Sequence, residues 1–135
     1  MADSRRLIRY AAAAIAVGVA AIYFAIGLGI VTVVNEPPKD MSMFGFGVPA
    51  GSAFAIGAVL LVAFDHRLLW TLGAMLQVGT IVMYLAVSPN REPPFEIWGI
   101  LIKIGQAVLL VALTYLAVRG SARERTLTAS AFPPR

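Results

Sequence analysis

The chain has no cysteine, one histidine and only 13% charged residues over its 135 positions. Without thiols there are no disulfides, no thiol redox chemistry, no covalently attached haem and no cysteine-ligated iron–sulfur cluster. The lone His66 lies between Asp65 and Arg67 in a turn, so one chain supplies neither a bis-histidine haem nor a histidine-rich metal site. Met41 and Met43 are two soft thioethers with no histidine or cysteine beside them. The stretch 41–47, with Phe44 and Phe46 between glycines, reads instead as a loop skimming a membrane interface. Glycine-rich phosphate loops, Gly-x-Ser-x-Gly elbows, His-Glu-x-x-His pairs and paired buried carboxylates are missing as well. No motif supports an enzyme, and no catalytic residue, metal or cofactor is expected.

What fills the chain is apolar: 59% of it is hydrophobic and its mean hydropathy is +0.82. That lies outside the range of soluble domains. In lipid only helices and closed barrels satisfy their own backbone hydrogen bonds, and long uncharged runs select helices. A helix needs about 20 residues to cross roughly 30 Å of hydrocarbon. Four segments are predicted to do so, at 10–34, 48–64, 68–87 and 95–118. The first follows Arg5, Arg6 and Arg9 as a secretory signal would, but its uncharged run far exceeds a signal core of about 7–15 residues, so it reads as a retained span. The second is short, with 41–47 entering the interface ahead of it and Pro49 placed in its first turn. Glu36-Pro37-Pro38, Asp65-His66-Arg67 and the segment 88–94 break the spans. The middle break is very short, so spans two and three are expected to form a tight antiparallel hairpin. Glu36 and Glu92 each begin a Glu-Pro-Pro, as a duplicated hairpin would, but the flanking helices do not match, and Pro-rich turns recur wherever helices stop.

A formal charge of +4 would point a soluble protein toward nucleic acid. Here the arginines flank apolar segments, so the bilayer is the expected partner and nucleic acid is not. Arg5, Arg6, Arg9, Arg67, Arg119, Arg123, Arg125 and Arg135 fall on one side, against Lys39 and Arg91 on the other. Positive residues are retained in the cytoplasm. The sequence therefore reads as an all-α integral membrane protein, a four-transmembrane-helix bundle with both termini inside: a cytoplasmic N-terminus 1–9, a membrane domain 10–118 and a basic tail 119–135 that reaches toward anionic lipid or anchors the topology. Arg in preference to Lys, with abundant Ala, has the look of a high-GC bacterium, hence of an inner membrane. Trp70 and Tyr115 are placed near the inner interface, Tyr84 and Trp98 near the outer one.

Helices associate in lipid through close backbone approach and polar side chains. Ala11, Ala14, Gly18, Ala21, Ala25 and Gly29 recur every three or four residues along the first span. They are expected to pack inside the bundle, or else to form a homo-oligomer contact. Span four carries Glu96, Gly99, Lys103 and Gln106 on one stripe; span three carries Gly73, Gln77, Thr80, Tyr84 and Ser88. At about 1.5 Å per residue, Gln77 and Gln106 both reach the midplane, and Lys103 comes level with the interval between Thr80 and Tyr84. A polar seam is expected, with Gln77 bonded to Gln106 and Lys103 to Glu96, Tyr84 or both. A lysine within hydrocarbon costs at least about 2.5 kcal/mol unless it snorkels or pairs. Helical side chains lean toward their N-terminus, so Lys103 is expected to lean outward toward Glu96. The candidate ligand-binding residues are accordingly Lys103, Glu96, Gln106, Gln77, Thr80 and Tyr84, lining an outer-half pocket for a lipid, an anion or a quinone, the one cofactor-like ligand the site would admit.

The segments Gly57-Ala58-Val59-Leu60-Leu61 and Leu72-Gly73-Ala74-Met75-Leu76, joined through Arg67, resemble the central hairpin of small bacterial DoxX-like proteins. The resemblance covers about a third of the chain and implies a four-helix membrane protein, of a family in which some members associate with redox complexes. The first span lacks that family's polar cluster near its outer end, and the second carries no acidic residue. The function expected first is a non-catalytic accessory or interaction subunit, packing against itself or a larger membrane complex. A small binding or transport protein using the polar seam stands second, and a DoxX-like companion of an oxidoreductase third.

Overall fold

The computed structural model describes residues 2–33, 42–90 and 95–119. These form four α-helices, α1 (Ala2–Gly27), α2 (Met43–Ala63), α3 (Arg67–Val87) and α4 (Ile97–Arg119), with one 3-10 turn at Ser88–Asn90. All four are long and apolar enough to cross a membrane. Their positions match the spans read from the sequence, and three boundaries move for identifiable reasons. Helix α1 begins at Ala2, so the described part of the expected extramembrane segment 1–9 is its first turns. It ends at Gly27 rather than 34 because Gly29 adopts φ 70°, and the amides of Ile30 and Gly29 donate back to the carbonyls of Ala25 and Ile26. That pair of bonds is the Schellman closure, which needs a left-handed residue that glycine supplies without strain. Helix α2 begins at Met43 rather than 48, because the Ser42 hydroxyl caps it by accepting from Gly45 N–H at 3.0 Å. Pro49 consequently lies inside the helix, not in its first turn.

Helix α1 is the hub: it packs on α2 and α4, and α3 packs on α4. The α1–α2 contact is close because Gly47 and Gly51 stand one turn apart on α2; a Cβ on Gly47 would come within 2.6 Å of the Gly27 backbone and of the Tyr23 carbonyl. This Gly-x-x-x-Gly pattern is visible in the sequence and is the small-residue seam that the bundle uses. The stripe expected to pack, on α1, turns outward: Ala11, Ala14, Gly18 and Ala21 are exposed, while Ala12, Ala13, Ala16, Val19 and Ala20 are buried. Both sets recur at helical spacing on so alanine-rich a helix, and spacing alone does not rank them.

The core divides in two. Near the N-terminal end of α1, Ala12, Ala16, Leu61, Trp70, Leu109 and Leu116 pack together; toward the other end Val19, Tyr23, Ile26 and Ile102 do so. Trp70 is wholly buried. The tight hairpin expected of α2 and α3 does not form, although only Phe64, Asp65 and His66 separate them. Each helix has a stronger partner elsewhere, α2 through its glycines against α1 and α3 through its polar face against α4. Between them an open cleft remains.

Candidate functional site

The two polar stripes meet in the expected antiparallel register. Tyr84 covers Gly99, and Gly73 faces Leu113. Lys103 lies at the depth deduced for it: its Nζ donates to the Thr80 carbonyl at 3.3 Å and stands 5.2 Å from the centre of the Tyr84 ring. Its shortest bond is to Gln106 Oε1, at 2.5 Å. The lysine therefore turns inward by one turn instead of outward toward Glu96, and no contact with Glu96 is found among the described contacts of Lys103. The reason is local. Two carbonyl oxygens and an aromatic face already offer negative potential there, so the ammonium is compensated where it lies.

Gln77 and Gln106 are both buried, at 6% and 0% exposure, but the expected bond between them is not made. Gln77 Oε1, Gln106 Nε2 and the Tyr84 hydroxyl have no hydrogen-bond partner among the described residues. Thr80 directs its hydroxyl to the Gln77 carbonyl at 3.0 Å, and Glu96 is buried at the start of α4. The seam between α3 and α4 is thus packed with its own side chains, and neither Lys103 nor Gln106 lines the cleft between α2 and α3.

A cleft opens between another pair of helices. The cleft between α2 and α3 has a volume of about 270 Å³ and is walled by residues such as Ala53, Gly57 and Leu60 on one side and Leu69, Leu72 and Leu76 on the other. Ala16 and Leu109 form its floor, and Gln77 is its one amide side chain. Of the six site residues expected from the sequence, only Gln77 reaches this cleft. A pattern of apolar residues gives no warning of it, since a wall residue and a lipid-facing residue are chemically alike.

A second polar cluster ties the helix ends where α1 begins. Arg5 bonds Asp65 at 3.0 Å and lies over the Trp70 ring at 4.7 Å. Arg9 reaches Asp65 at 3.7 Å and donates to the carbonyls of Leu61 and Val62, both at 2.9 Å. These are terminal carbonyls of α2 with no intrahelical partner, so Arg9 acts as a C-terminal cap. The sequence reading used both arginines only as orientation signals; their spacing of four residues, opposite a lone aspartate in a turn, was the available clue. His66 is exposed and accepts from Leu68 N–H at 3.3 Å, capping α3. Tyr115 at the same end carries Arg119 at 5.3 Å from its ring. Among the described residues, no three His, Cys, Asp or Glu side chains come together as a metal site. Glu36, Lys39, Met41, Arg91, Glu92 and the tail from 120 onward, all used in reading the sequence, lie outside the described residues.

No family model, curated protein or solved structure matches this chain. Its function is therefore argued from the site.

Proposed function

We propose that the protein is a non-catalytic binding protein of a bacterial inner membrane, with both termini in the cytoplasm, whose working element is the cleft between α2 and α3. The observation that carries this reading is the separation of two helices joined by a three-residue turn. Adjacent antiparallel helices with so short a connection ordinarily close on each other. Here the gap is walled by Ala53, Gly57 and Gly73 among leucines. A cleft of about 270 Å³ lies just below the usual range of ligand sites, about 300–1,000 Å³. Its apolar walls suit a lipophile.

Gly57→Leu tests the reading, because a side chain there enters free space, with nothing within 4 Å of the added Cβ. Gently extracted wild-type protein should carry a co-purifying lipophile in native mass spectrometry, and Gly57→Leu should lose it while keeping its fold. Wild-type protein free of any bound molecule would end the proposal.

An accessory role, packing against a second copy or a larger membrane complex, is the second reading. It is favoured by the outward-facing Ala11, Ala14, Gly18 and Ala21 of α1, since exposed small residues at this spacing let another helix approach closely.

A further inference from the structure

A second groove runs along the joint of α1 and α2 and shares no lining residue with the cleft. Its volume is about 660 Å³, within the range of about 300–1,000 Å³ usual for ligand sites. The buried Ala13, Ala20 and Ala58 form its floor, and the exposed Tyr10, Val17 and Val59 stand at its sides. A floor of methyl groups between larger side chains leaves the hollow.

From Tyr10 to Phe24 the groove follows α1 for fourteen residues, about 21 Å. One leaflet supplies half of a hydrocarbon core of roughly 30 Å, so the groove has room for the full depth of one lipid chain. No charged residue lines it, but Arg6 continues it. Arg6 precedes Tyr10 by one turn and Phe24 by eighteen residues, which is five full turns and returns to the same face. It lies about 6 Å beyond Tyr10, where the hydrocarbon gives way to headgroups. Its neighbours Arg5 and Arg9 are both engaged with Asp65. Arg6 is exposed and makes no ion pair with any described residue. The Tyr10 side chain leans toward the N-terminus of its helix, hence toward Arg6, and brings a phenol donor to the same end of the groove.

We propose that the groove between α1 and α2 seats an anionic phospholipid, its phosphate held by Arg6 and the Tyr10 phenol and one acyl chain lying along the alanine floor toward Phe24. A guanidinium matches a phosphate in both charge and geometry. The site is separate from the cleft, and it takes the face that a partner helix would otherwise cover. A second copy is the poorer occupant: inserted in the same direction and seated symmetrically on this face, it brings its own Arg6 beside this one, like charge against like.

The full chain in bilayer nanodiscs, offered either phosphatidylglycerol or phosphatidylcholine with a diazirine on one acyl chain, tests the seat by mapping the crosslinked peptides. Phosphatidylglycerol should label the groove about fivefold more than phosphatidylcholine, the preference that one surface arginine confers. Arg6→Gln should remove that excess and leave phosphatidylcholine labelling unchanged, while Arg67→Gln, at an exposed arginine on α3, should preserve the excess. Ala14→Leu, at an exposed position lining the groove, should lower labelling by both lipids. Gly57→Leu should have no effect, so that a phospholipid surviving that substitution belongs to this groove and not to the cleft. Equal labelling by the two lipids, or an excess that Arg67→Gln lowers as much as Arg6→Gln, would overturn the phosphate seat. A groove labelled no more than the exposed Val78 and Val82 of α3, as when a second copy covers it, would overturn the site altogether.

Discussion

At the scale of single residues, the buried charges show how unequal the two members of a polar pair are. Removing Lys103 takes away an ammonium and leaves two neutral carbonyls, while removing Gln106 strands the ammonium without its nearest acceptor. Stranding a buried charge is the costlier error. Gln106→Leu is therefore expected to destabilise the fold by about 2–3 kcal/mol and Lys103→Met by about 1 kcal/mol or less, an order that SDS titration in mixed micelles reads directly. Arg9 combines an ion pair with bonds to the last carbonyls of α2. Arg9→Ala should cost about 2 kcal/mol in the same measurement, with Arg9→Lys recovering only part of it because an ammonium cannot fork across two carbonyls. The depth of Lys103 was legible in the sequence, since rise per residue fixes it. Its choice of Gln106 over Glu96 was not, because a lysine stem reaches either way along the helix.

At the scale of elements, glycines separate contact from open surface. Gly47 lies where α1 and α2 touch backbone to backbone, and Gly18 where nothing lies within 4 Å of an added Cβ. Gly47→Ala should force the two helices apart and lower the unfolding midpoint. Gly18→Ala should leave it unchanged or raise it slightly, since alanine is favoured over glycine within a helix by about 1 kcal/mol. If Gly18→Ala proved the more damaging of the two, the face of α1 that packs within the bundle would be misassigned. Helix number and type could be read from hydropathy, but not the end of α1 near Gly29 or the start of α2 at Ser42, where a single residue stops or caps the helix inside an uncharged run. The partner of each helix could not be read, because α1 carries small residues on two faces and only one of them meets α2.

At the scale of the whole molecule, the absence of cysteine makes the proposed orientation directly measurable. His66→Cys and Asn90→Cys place single thiols at exposed positions at opposite ends of the bundle. In intact cells a membrane-impermeant maleimide should label Asn90→Cys and should reach His66→Cys only after permeabilisation; the reverse pattern would invert the topology. The sequence by itself determined that the described chain is helical, that four helices are long and apolar enough to cross a membrane, and that the polar faces of the third and fourth share a depth. Those properties follow from composition and from a fixed rise per residue, both local. Only the tertiary structure decided that α1 is the hub, that the polar seam closes on itself and that α2 and α3 stand apart around Gln77. Those outcomes depend on competition among faces that all favour burial. Backbone approach at Gly47 and Gly51, and the Arg9 cap at the end of α2, settle that competition through contacts between residues distant in the chain.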